Sequence, residues 1–477
     1  MFPPDCVSDY ENESDHASYD SDDEPSFFER FPFRLCKRRR KPSDEKENSG
    51  VQTPKKGIPS ETLPNAPITA GAAIRMFGDE LLPYEQSEIV GYPEIWFMGH
   101  PLARKFWRGL IACLCNAYAV MNGKFEYHQC ELDSNGYDDV YGDYRIVLNH
   151  HVGYRFEILD LFGRGDFGHV LDVFDHKTKC RRALKMVRKP EFDLSNQYVE
   201  LRTFRHLVSY PSYGYSTVIT FYEALYFRHH LCLVLEPGYM SLHDYLNGLE
   251  SKRLPLTTIC AIAKQLISAL VYLKDYGVIH CNLKPQNILL MSPVSNEIRV
   301  IGFGTSKRWP LFRRPLREFQ SLRYRSPEVM LRLPCDEKID MWSLGCILAE
   351  LFTGVPLFDG ENEVNQLKLM SVVIGQLPAY LASHCFRRRA LASAISSGKI
   401  SASRSPRPAS SFSDDFLAIH ESVPFEKDFQ DFIRKILVWD SKKRLSAANA
   451  CSHPLICAHL DKLEEEHDRE EETAQAE

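Results

Sequence analysis

The sequence predicts an α+β fold, in which a part rich in β-strands is followed by a larger and mainly helical part. Phe156 to Phe162 alternates like a strand, and Val170 to Phe174 continues as another strand after a run of glycines. Ile259 to Tyr276 follows much later in the chain and carries an apolar stripe at helical spacing. Because strands come first and long helices come after them, the two kinds of element are expected to segregate, which is typical of the α+β class.

Composition limits the kind of protein and its surroundings. The chain has 477 residues, 44% of them hydrophobic, and a formal net charge of -6, which gives no argument for nucleic-acid binding. Its 14 cysteines show no CxxC pair and no metal-ligand spacing, as expected for reduced thiols inside a cell. The start of the chain is unlike a signal peptide, and the apolar stretch Leu110 to Met121 is too short to span a bilayer. We therefore expect neither a nucleic-acid partner nor a membrane partner.

Shifts in composition divide the chain into four parts. We predict a disordered tail over residues 1–65, an N-terminal accessory segment over 66–153, one folded domain over 154–460 and an acidic tail over 461–477. The first tail contains the basic cluster Lys37–Lys41, which is typical of a nuclear import signal but also of a solvated run of charge. Both interpretations stay open, so the expected location is the nucleus, the cytoplasm or both.

The accessory segment gives weaker signals. Ile74, Phe77, Leu81 and Leu82 recur at helical spacing and predict a helix. Residues 101–130 are apolar and contain cysteine, but they show no clear period, and neither a structure nor a function follows from them.

The chain is organised around residues 278–304, VIHCNLKPQNILLMSPVSNEIRVIGFG. An apolar helical run precedes a polar loop, and a strand, a turn and a second strand then lead to Gly-Phe-Gly. This order is similar to a protein-kinase catalytic loop followed by its metal-binding loop, and His280, Lys284 and Asn287 match that pattern. The resemblance implies the bilobal protein-kinase fold.

Both carboxylates of that pattern are absent from this stretch. Asn282 stands at the position of the catalytic aspartate, and an amide can orient a hydroxyl but cannot accept its proton, a loss that costs about 10² to 10⁴-fold in rate. Gly302 stands at the position of the metal-binding aspartate and offers no side-chain ligand, which leaves Asn287 as a weak one. We therefore expect Mg²⁺ binding to be weakened or absent, with ATP binding still possible.

A glycine-rich hairpin and an ion pair predict how a nucleotide would be held. The glycines form a hairpin tip whose backbone N–H groups cover phosphates, although Asp166 places a negative charge where the γ-phosphate should lie. Lys185 on a strand and Glu200 on the next helix suit the pair that positions the α- and β-phosphates. Leu235 is expected at the gatekeeper position, directly before the hinge. The residues expected to line the nucleotide site are Phe162, Gly163, Gly165, Asp166, Phe167, Gly168, Val170, Ala183, Lys185, Leu235, Glu236, Gly238 and Leu289.

Later motifs predict structural contacts in the helical lobe. Ser-Pro-Glu ending at Glu328 fits the end of an activation segment, and Asp340 opens a buried helix. Arg444 is placed to pair with Glu328. The persistence of these residues argues that the large lobe folds.

Several separate segments resemble one kinase family, the dual-specificity tyrosine-phosphorylation-regulated kinases (DYRK) of the CMGC group. They are HCNLKPQNILL, with cysteine after the histidine, ALKMVR, DHKTK, YRSPEVML and DMWSLGCILAELFTGVPLF, and, upstream, EIVGYPEIWFMG, NGYDD and HVGYRFEIL, which are similar to the accessory segment of class II members. The resemblance covers roughly Ala66 to Leu460. It implies Ser/Thr kinases that phosphorylate their own activation-loop tyrosine, with protein substrates or signalling partners.

The departures from that family shape the functional hypothesis. Glu318 falls where the second activation-loop tyrosine is expected, and Arg325, which the resemblance links to a preference for proline after the phosphoacceptor, is a possible partner for it. With both catalytic carboxylates and the tyrosines replaced, we expect a catalytically impaired pseudokinase that acts as a signalling scaffold or allosteric regulator, as a monomer or in a hetero-complex. The alternative is an active or residually active ATP-dependent dual-specificity kinase.

Overall fold

The structure, a computed structural model, describes residues 67–121, 136–165, 168–189, 197–210, 217–308, 319–384, 402–403 and 424–457. The predicted tails, the basic cluster Lys37–Lys41, Asp166, Phe167 and Glu318 lie outside the described residues. Hypotheses that rest on them stay predictions.

A six-stranded antiparallel sheet forms the first lobe. Its strands are β1 (His151–Val152), β2 (Phe156–Gly165), β3 (Gly168–Asp175), β4 (Cys180–Val187), β5 (Phe221–Phe227) and β6 (His230–Leu235), in the spatial order β1-β2-β3-β4-β6-β5. The glycine-rich run is the hairpin tip between β2 and β3, as predicted, and Gly165 pairs with Gly168. Gly168 has φ +122°, and a Cβ there would lie on the Met186 carbonyl oxygen of β4, so this position requires glycine.

The second lobe is mainly helical, which confirms the predicted fold class. Its helices are α5 (Leu242–Gly248), α6 (Leu256–Asp275), α7 (Pro327–Met330), α8 (Lys338–Thr353), α9 (Glu363–Val373), α10 (Ala379–His384), α11 (Pro424–Ile436) and α12 (Ala447–Ala450), while α4 (Gln197–Val208) belongs to the first lobe. Short strands β7 (Met240–Ser241), β8 (Val278–Ile279), β9 (Ile288–Leu290), β10 (Ile298–Val300), β11 (Lys307–Arg308), β12 (Leu377–Pro378) and β13 (Ala402–Ser403) complete it.

Helix α6 is the predicted long helix, and it is apolar enough by length and composition to cross a membrane. Ile259, Leu266 and Ile267 on it are nonetheless buried in the protein core. The core helix of a globular domain passes the same test, so this composition is explained by packing. No other helix among the described residues meets that test.

In the described part of the accessory segment, three α-helices precede the sheet, α1 (Ala70–Phe77), α2 (Pro83–Ile89) and α3 (Pro101–Met121). The prediction of one helical stripe through Leu81 and Leu82 was wrong, because α1 ends at Phe77 and a 3₁₀ turn follows. A Pro at the first turn of α2 then starts a separate helix.

Residues 101–121, for which no structure was predicted, form the longest of these helices. Ala103, Trp107 and Ile111 recur every four residues and are buried, so a helical period is present. Leu102 and Phe106 are each 60% exposed on another face, and these apolar residues conceal the period in the sequence. Trp107 shares one core with small-lobe residues that include Phe156.

A buried arginine ties the accessory segment to the sheet. Arg228 lies at the tip of the β5–β6 hairpin with φ +49°, and its guanidinium donates to Glu85 at 3.1 Å and to Glu88 at 3.1 Å. It also donates to the Tyr144 hydroxyl at 3.0 Å and lies 3.6 Å above the Tyr137 ring. Because its side chain is 2% exposed, this cation depends on these partners in place of water.

Candidate functional site

The cleft between sheet and helical lobe begins with the predicted ion pair. Lys185 on β4 donates from Nζ to Glu200 Oε2 at 2.5 Å, and Glu200 lies in the first turn of α4. The Thr203 hydroxyl on the same helix lies 2.7 Å from the Ser306 hydroxyl, which follows the Gly-Phe-Gly loop. Helix α4 is therefore fixed both to the sheet and to the loop that follows the catalytic stretch.

Aromatic contacts join α4 to the catalytic stretch. The Phe303 ring is fully buried, 5.5 Å from the Phe204 ring and 5.0 Å from the His280 imidazole. Burial lowers the pKa of His280 to about 4, so the imidazole is neutral at pH 7. Its Nε2 lies 2.9 Å from the Ile301 carbonyl oxygen, which holds the loop before Gly302.

Predicted nucleotide-site residues come from strands that meet at this cleft. Ala183 on β4 pairs with Leu235 on β6, and Leu235 is buried. A Cβ on Gly238 would lie 2.9 Å from Leu289 Cδ1, so the hinge passes directly over Leu289. The remaining described members of that set are Phe162, Gly163 and Gly165 on β2 and Gly168 and Val170 on β3.

The side chain of Glu236 makes structural contacts at the predicted hinge, and its expected place in the nucleotide site stays a prediction. Its Oε2 accepts hydrogen bonds from the Thr220 backbone N–H at 3.2 Å, from the Thr220 hydroxyl at 2.9 Å and from Arg299 at 3.3 Å. Since all three hydrogen bonds reach Glu236 Oε2, its side chain joins the hinge to the residue before β5 and to β10.

The catalytic loop holds its shape without a catalytic carboxylate. Buried Asp340 accepts from the backbone N–H groups of His280 at 2.7 Å and of Cys281 at 3.0 Å. Burial raises the pKa of Asp340 to about 7, against the opposing effect of those two hydrogen bonds. Cys281 has φ +64°, a conformation that these bonds support.

Asn282 is held in place by two hydrogen bonds, and its carboxamide has no basic atom. Its Oδ1 accepts from the Ser321 hydroxyl at 2.9 Å, and its carbonyl accepts from Asn287 Nδ2 at 2.8 Å. A carboxamide has no proton-accepting group of useful pKa, so Asn282 can orient a hydroxyl and cannot deprotonate it. The contact with Ser321, 39 residues away, was not predicted, because nothing in the sequence spacing indicates it.

The side chain of Asn287 lies against Gly302, where the Cβ of a metal-binding aspartate would be. Gly302 has φ +85° and ψ 47°, and a Cβ there would lie 2.7 Å from Asn287 Cγ. Of the two expected ligand positions, only the Asn287 oxygen remains. Mg²⁺ binds with carboxylate oxygens in near-octahedral geometry, so these residues do not fit a magnesium site.

Another group of metal-ligating residue types lies in the accessory segment. Donor atoms of Glu85, His150 and His151 lie within 4.8 Å of one another, and all three residues are buried. The Tyr154 N–H donates to His151 Nδ1 at 3.2 Å, which leaves the proton of that neutral ring on Nε2. Glu85 already accepts from Arg228, so we assign no metal to this group.

The activation segment and large lobe contain the other predicted residues. Arg325 donates to the Gln320 carbonyl at 2.9 Å and to Glu363 at 2.9 Å, so it already has an acidic partner. Its proposed pairing with Glu318 stays a prediction. Arg444 and Glu328 are brought together over 116 residues, with bonds of 2.6 Å and 2.8 Å between fully buried side chains.

The fold and the cleft define a protein-kinase domain. Residues 156–456 match the protein kinase domain family. The chain is 32% identical to the human dual specificity tyrosine-phosphorylation-regulated kinase 4 over 85% of its own length and 74% of that protein.

Two further relatives carry the same family name. Identity is 33% to dual specificity tyrosine-phosphorylation-regulated kinase 2 of Drosophila melanogaster, over 82% of this chain and 51% of that protein. It is also 33% to the DYRK-family kinase pom1 of Schizosaccharomyces pombe, over 80% of this chain and 33% of that protein. The chain thus spans about half of the first and a third of the second. It belongs to the DYRK family of the CMGC group, as its motifs indicate.

Proposed function

We propose that this DYRK-family chain is a catalytically impaired pseudokinase whose folded domain acts as a signalling scaffold or allosteric regulator. The observation that carries the proposal is the position of the Asn287 side chain, whose Cγ would lie only 2.7 Å from a Cβ at Gly302. Since Asn282 also lacks a basic atom, both the base and the second metal ligand are missing. The two losses affect separate parts of phosphoryl transfer, which depends on metal ions to neutralise developing charge.

The alternative is residual ATP-dependent phosphotransfer to serine or threonine. Two contacts favour it: the Lys185–Glu200 ion pair at 2.5 Å, which joins β4 to α4, and the packing of Phe303 against Phe204, which joins α4 to the Gly-Phe-Gly loop. This frame would hold the α- and β-phosphates of ATP with Lys185.

A phosphotransfer assay on the purified chain separates the two functions. We expect no incorporation that depends on Lys185, measured by mass spectrometry with ATP and generic protein substrates. Lys427→Gln, an exposed lysine in α11, is the matched control for loss of a positive charge. Transfer at an ordinary kinase rate that Lys185→Ala abolishes would establish the enzyme and overturn the pseudokinase.

Nucleotide binding is expected to be weak and to gain little from magnesium, because the ligand set at Gly302 is missing and Asp166 adds negative charge near the phosphates. A ligand at a concentration equal to its Kd stabilises a protein by only about 0.4 kcal/mol. Thermal denaturation with ATP, with and without Mg²⁺, should therefore show small shifts of equal size. A large stabilisation that requires Mg²⁺ would refute weak binding, and Asp166 would then be a candidate ligand for the ion.

A further inference from the structure

Helix α3 leaves an apolar stripe open to solvent. Leu102 and Phe106 are each 60% exposed, and they lie one turn apart on one face of the helix. Gly109 lies on the same face, because it follows Leu102 by seven residues. These three residues are called the α3 stripe below. Single exposed apolar side chains are common on protein surfaces, whereas a continuous apolar stripe on a helix is typical of a contact surface.

The glycine of the α3 stripe has no role in packing within the chain. A Cβ at Gly109 would meet nothing within 4 Å, so a larger residue would fit there. Glycine inside a helix is less stable than alanine, because it loses more backbone freedom on folding. Internal packing therefore does not explain this glycine. The close approach of another backbone does explain it, since glycine leaves the most room for such an approach.

Positive charge borders the α3 stripe. Lys105 is exposed beside it, and α3 contains no acidic residue. Arg108 is also exposed and donates to the Asp79 carbonyl oxygen at 2.5 Å, a bond that leaves its positive charge in place. Of the three cations of the helix, Arg104 alone forms an ion pair with a described carboxylate, at 2.8 Å to Glu80. The surface therefore favours acidic residues in the molecule that binds it.

We propose that the α3 stripe docks an amphipathic helix of a partner protein, with its apolar residues against Leu102 and Phe106 and its acidic residues beside the exposed cations. Helices pack by fitting ridges of side chains into grooves, and the open position at Gly109 supplies a groove. Helix α3 has 21 residues and is about 30 Å long, which is sufficient for a partner helix of several turns. The inference goes beyond the proposed function, because it does not depend on whether the chain transfers phosphate.

Two other occupants fit the surface less well. A second copy of this chain would bring the same cations to the same face, and like charges repel. A helix that lies in a membrane surface needs a broad apolar face, whereas Trp107 and Ile111 of α3 are buried in the protein core. A partner protein with acidic residues is the occupant that the charge favours.

Fluorescence anisotropy of the full chain with two designed helical peptide libraries tests the surface. Both libraries carry leucine or phenylalanine at the a and d positions of a heptad repeat, with glutamate at e and g in one library and lysine in its twin. Like charges at e and g keep each library from associating with itself. We expect the acidic library to bind at least about tenfold more tightly than its twin, because its charges complement those of α3.

Three variants of α3 locate the binding. Phe106→Ser should weaken binding of the acidic library at least about tenfold, because buried aromatic residues dominate such contacts. Lys105→Glu should reverse the preference between the libraries. Gly109→Gln should weaken binding by obstructing the groove, and it should leave the thermal stability equal or higher, because glutamine has a higher helix propensity than glycine. Loss of binding in that variant is therefore separate from loss of folding.

Helix α9 offers matched controls in the helical lobe. Val372→Ser removes an apolar side chain that is 63% exposed, and Lys368→Glu reverses the charge of an exposed lysine. Both variants should bind the acidic library as the parent does. Thermal denaturation of every variant shows that it is folded.

Several results would overturn the proposal. Equal binding of the two libraries, or equal losses in Phe106→Ser and Val372→Ser, would show that the α3 stripe docks no acidic helix. Unchanged binding in Gly109→Gln would show that no backbone approaches this glycine. In sedimentation of the full chain alone, a dimer that Phe106→Ser dissociates would assign the stripe to a second copy. Binding to phosphatidylserine vesicles that Phe106→Ser abolishes would assign it to a membrane.

Discussion

The double variant Asn282→Asp/Gly302→Asp should phosphorylate serine or threonine substrates at least about 10²-fold faster than the parent, while each single variant gains little. A general base alone contributes about 10² to 10⁴-fold, and groups that act as one unit are far from additive. Asn282→Asp is expected to fit without rearrangement, because the Ser321 hydroxyl can donate to a carboxylate as it does to the amide.

The glycine is the harder position to revert. A side chain at Gly302 begins 2.7 Å from Asn287 Cγ, so Asn287 must turn away, and φ +85° adds backbone strain of about 1–2 kcal/mol. Gly302→Asn is the matched control, since it has the same steric demand without the charged ligand. It should lose as much stability in urea denaturation as Gly302→Asp and restore no activity.

Phosphate incorporation into a generic substrate, with Lys185→Ala introduced into the revertant, measures the rescue. Asp166→Ser is the third change if charge at the glycine-rich tip still repels the phosphates. A triple revertant that folds and binds ATP yet transfers nothing would show that the impairment extends beyond these positions. The accessory segment, including α3, would then be the region to examine.

Arg228→Met should destabilise the protein by about 3–5 kcal/mol. The substitution leaves the Glu85 and Glu88 carboxylates buried with no guanidinium, and breaking a buried pair by removing one partner has a cost of that size. It also removes the cation that lies 3.6 Å above the Tyr137 ring, so the accessory segment loses its attachment to the β5–β6 hairpin. Urea denaturation monitored by tryptophan fluorescence measures the loss, since Trp107 is buried in the shared core.

Arg323→Met is the control for Arg228→Met because its ion pair with Asp359 is exposed, and it should cost under about 1 kcal/mol. Combining Arg228→Met with Glu85→Gln and Glu88→Gln removes the stranded charges and should recover a large part of the stability. Equal losses for Arg228→Met and Arg323→Met would contradict the view that Arg228 attaches the accessory segment.

The parts of the site that were predictable are those encoded by local order. Lys185 and Glu200 follow the glycine-rich hairpin on a strand and a helix, and that order alone indicates their ion pair. The contacts of Asn282 with Ser321 and of Asn287 with the Gly302 position depend on how separate segments meet, which no spacing records. Helix α3 was missed for a different reason, because apolar residues on its exposed face conceal the buried stripe.

The hydrogen bonds of Asp340 determine which positions of the catalytic loop can be substituted during evolution. It holds the catalytic loop through the backbone N–H groups of His280 and Cys281, so the loop keeps its shape whichever side chain stands at position 282. Folding therefore does not require an aspartate at position 282. Where catalysis is not needed, selection does not remove substitutions at that position. Asp340 itself has no such freedom, since its loss would leave two buried backbone donors unsatisfied. In this loop the backbone conformation depends on Asp340 and the chemistry depends on the residue at position 282, so the conformation can persist when the chemistry is lost.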